Sequence, residues 1–165
     1  MEGIINFIIE GLKGVNKDVI IFIISLLPLL ELRGGLIAAS LLKVNIYKAL
    51  IICFLGNILP IPFVLLLLEK IFDLLRKWKV TKKLVDWLEK KLLSKRDQLD
   101  KYGYPGLLLF VGIPLPGTGA WTGSGLAVLL GLNRKKAFVY ILFGVLLAEV
   151  IMGIFSYGIL GNLIN

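Results

Sequence analysis

Long apolar stretches separated by short polar segments dominate the chain. Two of these stretches, 46–68 and 137–160, contain a single charged residue each. About 20 apolar residues in a helix cross the hydrocarbon core of a bilayer, so the pattern predicts two transmembrane helices. Two further stretches, 19–42 and 104–132, are apolar but are interrupted by glycine, proline or charged residues. The chain is therefore expected to be an integral membrane protein.

The two halves of the chain resemble each other at an offset of 88 residues. The string 41–56 aligns with 129–144, and the identical pairs are Leu41/Leu129, Leu42/Leu130, Asn45/Asn133, Lys48/Lys136, Ala49/Ala137 and Gly56/Gly144. Upstream, Pro28 and Pro114 align at an offset of 86. The similarity favours an internal duplication, and the alternative is coincidence in an apolar sequence of low diversity.

The two interrupted stretches, 19–42 and 104–132, are predicted to be re-entrant. Proline breaks the helical hydrogen-bond ladder and glycine weakens it. Free backbone groups at membrane depth are tolerated only where protein covers them or where they line an aqueous cavity. Each leg of about 10 residues rises about 15 Å, half of the hydrocarbon thickness, which favours hairpins that enter and leave on one side. Four spanning segments are the alternative, and the distribution of basic residues hardly distinguishes the two topologies.

These elements predict one all-α integral membrane domain over 1–165. It is an inverted repeat of two re-entrant helical hairpins and two transmembrane helices, with 1–68 as the first repeat and 102–165 as the second. A basic amphipathic cytoplasmic helix, 69–101, connects them. Substrate sites then lie near the midplane, where the two broken elements meet. We expect a homodimer, because so small a chain can hardly enclose a path alone.

Composition excludes several classes of site. The chain has no histidine and one cysteine, Cys53, which removes His-based catalysis, most zinc and haem ligation and an intrachain disulfide. No nucleophile–base pair or metal cluster is visible, so we expect neither an enzyme nor a cofactor or metal site. The amphipathic start (2–17) has an acidic residue where a signal peptide would be basic, so no cleaved leader is expected.

The central segment holds much of the charge. Of the 30 charged residues in the chain, 17 lie in 69–101, and 11 of these are basic. The net charge of +8 therefore indicates a membrane surface rather than a nucleic acid. The apolar residues follow a heptad spacing: Ile71, Leu74, Trp78, Val85, Leu88, Leu92 and Leu99. This favours a helix lying on an anionic leaflet with Trp78 and Trp87 at headgroup level; a coiled-coil contact between protomers is the alternative.

Three charges are predicted at membrane depth: Glu31, Arg33 and Glu149. Such charges are costly and usually face a cavity or a partner. In a functional interpretation, Arg33 holds an anionic headgroup through its planar fork, and Glu31 accepts a proton. Glu149, with no neighbouring base, would be neutral or paired with Arg33, and its protonation could couple transport. In a structural interpretation, Glu31 and Arg33 neutralise each other or cap hairpin helices, and Glu149 is a protonated carboxyl bonded to a backbone carbonyl.

The broken segments supply candidate backbone and hydroxyl groups for a substrate path. The predicted lining residues are Pro28, Gly34, Gly35, Pro114, Pro116, Gly117, Thr118, Gly119, Trp121, Thr122 and Gly123. Glycines allow close backbone approach, and a helix that begins after such a loop directs amide N–H groups at an anion. A packing hinge that needs small residues at a tight helix crossing is an equally good interpretation.

The strings Leu29–Gly35 (LLELRGG) and Ile113–Gly123 (IPLPGTGAWTG) resemble the bacterial and archaeal family labelled putative small multidrug export proteins, a compact relative of the DedA superfamily. The resemblance implies facing re-entrant hairpins, a multi-pass protein of the prokaryotic cytoplasmic (inner) membrane, and transport. DedA relatives are linked to proton-motive-force-dependent movement of lipids, including polyprenyl phosphates. By motif, the acidic role falls on Glu31 and the basic role on Arg33. DedA proteins carry arginines around the second hairpin, and Pro114–Gly125 has none.

The sequence leaves three functions open. The first is a proton-coupled transporter or flippase for a small amphiphile such as a lipid-linked phosphate, with membrane lipids, the substrate and protons as partners. The second is a small multidrug exporter of cationic compounds, because an unpaired membrane carboxylate attracts a cation. The third is a non-transporting membrane scaffold that recruits lipids or proteins through the basic helix.

Overall fold

The computed structural model describes residues 14–97 and 102–160, and all regular secondary structure in these ranges is helical. The predicted all-α class is confirmed. Residues 2–13, 98–101 and 161–165, to which the sequence assigned parts of the amphipathic start, the central helix and the second repeat, lie outside the described residues. The helices are α1 (Lys17–Leu26), α2 (Glu31–Leu41), α3 (Ile46–Ile58), α4 (Ile61–Arg76), α5 (Lys79–Leu93), α6 (Gly103–Gly112), α7 (Ala120–Leu129) and α8 (Arg134–Gly153), and a π-helical segment (Ile154–Leu160) continues α8.

Helices α1, α2 and α3 form a first three-helix unit in which each helix contacts the other two. Asn16 caps α1, because its side-chain oxygen accepts a hydrogen bond from the backbone N–H of Asp18 at 2.9 Å. The helix ends at Leu26, and the next residue, Leu27, has an extended backbone, as the residue before proline prefers. Glu31 begins α2 with a φ of 51°, a conformation that non-glycine residues rarely adopt.

Helices α6, α7 and α8 form a second three-helix unit with the same pairs of contacts. The turns that lead into α3 and α8 are alike, since in each an amide N–H donates to the carbonyl five residues earlier at 2.9 Å. Lys43 and Gly131 hold the left-handed position of these turns, with φ of 54° and 66°, which makes both turns Schellman motifs. Asn45 and Asn133 then cap α3 and α8 through their side chains.

Two aligned glycines allow the same close crossing in each unit. A Cβ on Gly56 of α3 would lie 2.8 Å from the carbonyl oxygen of Phe22 in α1, and a Cβ on Gly144 of α8 would lie 2.8 Å from that of Leu108 in α6. Only glycine fits such an approach to backbone. The two units therefore share turns, caps and crossings at the aligned positions.

The helices α3 and α4 run antiparallel to α8, as contacts near the two ends show. Leu59 and Pro60 join α3 to α4 with helical backbone angles. At one end, the hydroxyl of Tyr157 donates to the carbonyl oxygen of Val44 at 2.9 Å. At the other end, Arg134 pairs with Glu69 at 2.7 Å. Two helices in the described residues are long and apolar enough to cross a bilayer, Ile46–Arg76 and Arg134–Ile159.

The central segment differs from the predicted single helix over 69–101. Its first residues belong to α4, and after Lys77 and Trp78 the chain reverses so that α5 packs back on α4 and α7. Arg76 holds this helical hairpin together by pairing with carboxylates of its own helix and of α5: Asp73, Asp86 and Glu89. The heptad pattern did not predict the reversal, because the apolar residues of α4 and those of α5 both fit the same heptad spacing. One of these residues, Val85 of α5, is fully buried.

One buried core joins the two units. Its large, fully buried side chains lie in α1, α2, α4 and the second unit, and they include Ile21, Ile24, Leu32, Leu36, Ile61, Leu107, Leu126 and Ile141. The outer faces of α3, α4 and α8 are apolar and exposed, including Ile51, Leu55, Phe63, Phe143 and Val150. An apolar outer surface of this extent is typical of helices that contact lipid.

Candidate functional site

The loop between α6 and α7 lies at the centre of the candidate site. Helix α6 ends at Gly112, and the next residue, Ile113, has an extended backbone before Pro114. Two glycines then turn the chain, Gly117 with a φ of 77° and Gly119 with a φ of 141°. The loop leaves the last carbonyl groups of α6 and the first N–H groups of α7 without helical partners. Partners for both come from the first unit.

Glu31 supplies the acceptor. Its carboxylate oxygens accept hydrogen bonds from the backbone N–H groups of Ala120 and Trp121, both at 3.1 Å. The side chain is 5% exposed, and it sits at the positive end of the α7 dipole, where a carboxylate is stabilising. Gly119 makes room for it, because a Cβ there would lie 2.7 Å from Cδ of Glu31.

Arg33 supplies the donors. Its Nη1 donates to the carbonyl oxygen of Leu115 at 2.7 Å. Its Nη2 lies 3.3 Å from three further acceptors, the carbonyl oxygens of Val111 and Ile113 and the hydroxyl of Thr118. Carbonyl groups at the end of a helix carry its negative pole, so the guanidinium caps α6 as the carboxylate caps α7.

Glu31 and Arg33 thus form a clamp between the two units, which we call the inter-unit clamp. Among the described residues, no ion pair joins Glu31 to Arg33. Each side chain instead forms hydrogen bonds with backbone groups of the α6–α7 loop. This geometry matches the capping interpretation of the sequence. A phosphate on Arg33 would have to displace these backbone acceptors.

Glu149 is the second charged element of the site, and it stands apart from the clamp. It lies in α8 and is 9% exposed. Among the described residues its Oε1 atom has no hydrogen-bond partner. The alternative in which Glu149 pairs with Arg33 is not what the structure holds, because Arg33 is engaged at the α6–α7 loop.

Asn57 of α3 is a further buried polar side chain, and the sequence analysis did not predict it. Asn57 lies one turn beyond Cys53 on α3, is 1% exposed, and its Oδ1 has no partner in the described residues. The sequence did contain a signal for Asn57, since it is a lone amide within the apolar stretch 46–68. The aligned residue in the second repeat is valine, so the repeat did not mark Asn57 as a candidate.

The glycines of the predicted lining divide by role. Gly34, Gly35 and Gly123 lie inside α2 and α7, where a Cβ would collide with neighbouring side chains, for example 2.7 Å from Cγ2 of Val111 at Gly123. These positions match the packing interpretation. Gly117, with no atom within 4 Å of an added Cβ, belongs to the exposed tip of the loop.

The remaining predicted lining residues flank the clamp. Pro28 and Pro114 follow the last residues of α1 and α6, and Pro116 is exposed at the loop tip. Trp121 is half-buried, and its indole Nε1 has no partner in the described residues, while Thr122 is half-buried on the same helix. Within residues 14–97 and 102–160, no group of three His, Cys, Asp or Glu side chains could hold a metal ion.

Comparison with known proteins gives one finding. The family model described as "Putative small multi-drug export protein" matches residues 31–151, a range that begins at the clamp carboxylate and ends just after Glu149. No curated protein and no solved structure matches the chain.

Proposed function

The chain belongs to the family of putative small multi-drug export proteins, and from this premise we propose that it exports small amphiphilic cations in exchange for protons. Family and apolar helices together make it a membrane protein with a transporter-like role. In the proposal, Glu149 binds the proton and the cation in turn. The inter-unit clamp holds the two units in register while this exchange takes place.

The observation that carries the proposal is the buried, unpartnered carboxyl of Glu149. A charge at membrane depth costs at least about 2.5–3.5 kcal/mol, so this carboxyl needs either a proton or a cationic partner. The described residues offer no such partner to its Oε1. Since one carboxyl cannot hold a proton and a cation together, binding one releases the other, which is the coupling that an exporter requires.

The clamp argues against an anionic substrate as the first choice. The sequence favoured a lipid-linked phosphate because Arg33 could grip it. In the structure, the guanidinium already donates to four acceptors of the α6–α7 loop, and a phosphate would have to compete with these acceptors for the same N–H groups. The flippase, the DedA relationship and the role of Glu31 as proton acceptor stay predictions.

The proposed membrane topology is the inverted repeat. The matching turns and glycine crossings of the two units support a duplication, and the antiparallel course of α3–α4 and α8 supports opposite orientations. The predicted re-entrant hairpins are then α1–α2 and α6–α7, with Ile46–Arg76 and Arg134–Ile159 as the spans of a multi-pass protein in a prokaryotic inner membrane. Glu149, the sixteenth residue of its 26-residue span, falls near the midplane. A homodimer is part of the proposal.

The test is transport in proteoliposomes with an imposed pH gradient. Two probes are followed, the cation tetraphenylphosphonium and a fluorescent polyprenyl phosphate. Wild type is compared with Glu149→Gln, and the matched control is Glu69→Gln, which makes the same change at an exposed carboxylate paired with Arg134. We expect cation movement and proton counterflow in wild type and control, and loss of both in Glu149→Gln.

Each other outcome identifies a different function. Cation transport that survives Glu149→Gln would refute the coupling role of this carboxyl. Movement of the polyprenyl phosphate without the cation would replace the exporter by the flippase. If folded protein moves neither probe, the scaffold becomes the leading hypothesis, and substitutions of Lys82, Lys83, Lys90 and Lys91 by glutamate would then test whether the basic helix recruits its partners.

A further inference from the structure

A groove at the start of α8 is the strongest unassigned feature outside the site. It has a volume of about 400 Å³ and is lined by Tyr104, Lys135, Lys136, Val139 and Tyr140. The rings of Tyr104 and Tyr140 stack with their centroids 5.4 Å apart. The hydroxyl of Tyr104 accepts a hydrogen bond from the backbone N–H of Asn133 at 3.0 Å, which fixes the aromatic wall against the helix cap.

The groove carries positive charge that no carboxylate in the described part of the chain neutralises. Lys135 and Lys136 are exposed, and neither has a carboxylate partner among residues 14–97 and 102–160. Their neighbour Arg134 does have one, because it pairs with Glu69 at 2.7 Å. The two ammonium groups also lie on the first turn of a 20-residue helix, whose positive pole adds to their field.

In the first unit, the equivalent lysine is paired with a carboxylate. Lys48, the counterpart of Lys136 at the offset of 88, pairs with Asp18 of α1 at 2.6 Å. At the offset of 86, which relates α1 to α6, the residue in place of Asp18 is Tyr104. The second unit therefore has an aromatic wall where the first unit has an internal anion, and its lysine pair is available to an anion from outside.

The groove also lies where a lipid headgroup would be. It is at the first residues of the apolar span Arg134–Ile159, and Val139, which is 48% exposed, extends its wall towards the apolar face of α8. Tyrosine and lysine are the side chains that membrane proteins place at the interface, with an apolar body and a polar tip.

We infer that this groove binds the phosphate of an anionic phospholipid headgroup. The ammonium groups of Lys135 and Lys136 contact the phosphate, and the tyrosine rings cover the glycerol region. The inference is independent of the proposed transport function, because it uses neither Glu149 nor the inter-unit clamp. It also gives the second unit a reason to prefer the leaflet with the more negative surface.

The test is lipid binding by the purified full-length protein, measured by native mass spectrometry with phosphatidylglycerol and phosphatidylcholine as probes. The variant is Lys135→Gln combined with Lys136→Gln, and the matched control is Lys48→Gln. At about fivefold for each basic residue near a surface, we expect the double variant to bind phosphatidylglycerol about 25-fold more weakly. Lys48→Gln and the binding of phosphatidylcholine should be unchanged.

A second variant keeps the test sharp if the lysines also affect folding. Tyr104→Asp copies the first unit by giving Lys136 an internal carboxylate, and it should abolish the preference for phosphatidylglycerol while helix content is retained. Equal losses in Lys48→Gln and in the lysine pair would overturn the inference, since general surface charge would then explain binding. The inference would also be overturned if millimolar inorganic phosphate displaced bound phosphatidylglycerol as effectively as added lipid does, because the site would then bind free phosphate.

Discussion

Gly119 is the position at which one methyl group tests the inter-unit clamp. Its φ of 141° lies in a region that residues with side chains rarely adopt, and a Cβ would come within 2.7 Å of Cδ and Oε1 of Glu31. The colliding atoms belong to the carboxylate itself. We therefore expect Gly119→Ala to push the Glu31 side chain away from the first N–H groups of α7.

The magnitude follows from two terms. Holding alanine in this backbone conformation costs about 1–3 kcal/mol. Loss of hydrogen bonds to a charged group costs about 1.5–3 kcal/mol each, and the carboxylate of Glu31 accepts two, from Ala120 and Trp121. We expect Gly119→Ala to lower the free energy of unfolding by about 4 kcal/mol or more.

Gly117 provides the control. It also has a positive φ, 77°, but an added Cβ would meet no atom within 4 Å. Gly117→Ala should therefore cost only the left-handed strain, about 1–2 kcal/mol. The difference between the two alanine variants contains the collision with Glu31 and any difference in backbone strain, and removal of the Glu31 carboxylate separates the two.

The assay is reversible unfolding in mixed micelles, followed by far-ultraviolet circular dichroism. A Glu31→Ala background completes the cycle, because removing the carboxylate removes the collision. In that background the cost of Gly119→Ala should fall to the backbone strain alone, about 1–3 kcal/mol, and the two substitutions should be clearly non-additive. Equal costs for Gly117→Ala and Gly119→Ala, or simple additivity with Glu31→Ala, would refute the clamp.

Three further predictions concern the two units and the helical hairpin. Gly56→Ala and Gly144→Ala should each lower stability by about 1–3 kcal/mol, because the methyl group meets backbone, whereas Gly153→Ala, whose nearest atom is a side-chain carbon at 3.4 Å, should be mild in the same unfolding assay. Lys43→Gly should raise stability by up to about 1 kcal/mol by relieving left-handed strain, and a decrease would contradict the assigned turn. Arg76→Gln should speed hydrogen exchange in α5, with a smaller effect at high salt; unchanged exchange at low salt would show that the ion pairs do not hold α5.

Much of the fold could be predicted from the sequence because its pattern is local. The apolar stretches gave the two long helices, and the two offsets, 88 and 86, anticipated which residues of the second unit repeat contacts of the first. Asn45 and Asn133 were visible as a pair in the alignment, and both cap helices, as asparagine does where its side chain replaces a missing backbone acceptor.

The parts that failed depend on contacts distant in sequence. After the reversal at Lys77, carboxylates of α5 pair with Arg76, and a heptad pattern does not show where one helix ends and the next packs back on it. The partners of Glu31 lie 89 and 90 residues away, so the sequence could name capping as one interpretation but could not choose it. Asn57 lacked any local pattern, because a single buried amide breaks neither helix periodicity nor hydropathy.

The distribution of charge between the two units now has a physical reason. The stretch Pro114–Gly125 has no charged residue, although its broken backbone needs both an acceptor and donors. A charged side chain on this loop would have to fold back within a few residues, and at Gly117, Gly119 and Gly123 any side chain is disfavoured by φ or by space. Glu31 and Arg33 reach it from an ordered helix of the other unit, so capping the loop also fixes one unit against the other. The stretch Pro114–Gly125 can therefore lack charged residues because Glu31 and Arg33 of the first unit supply the charges that cap it.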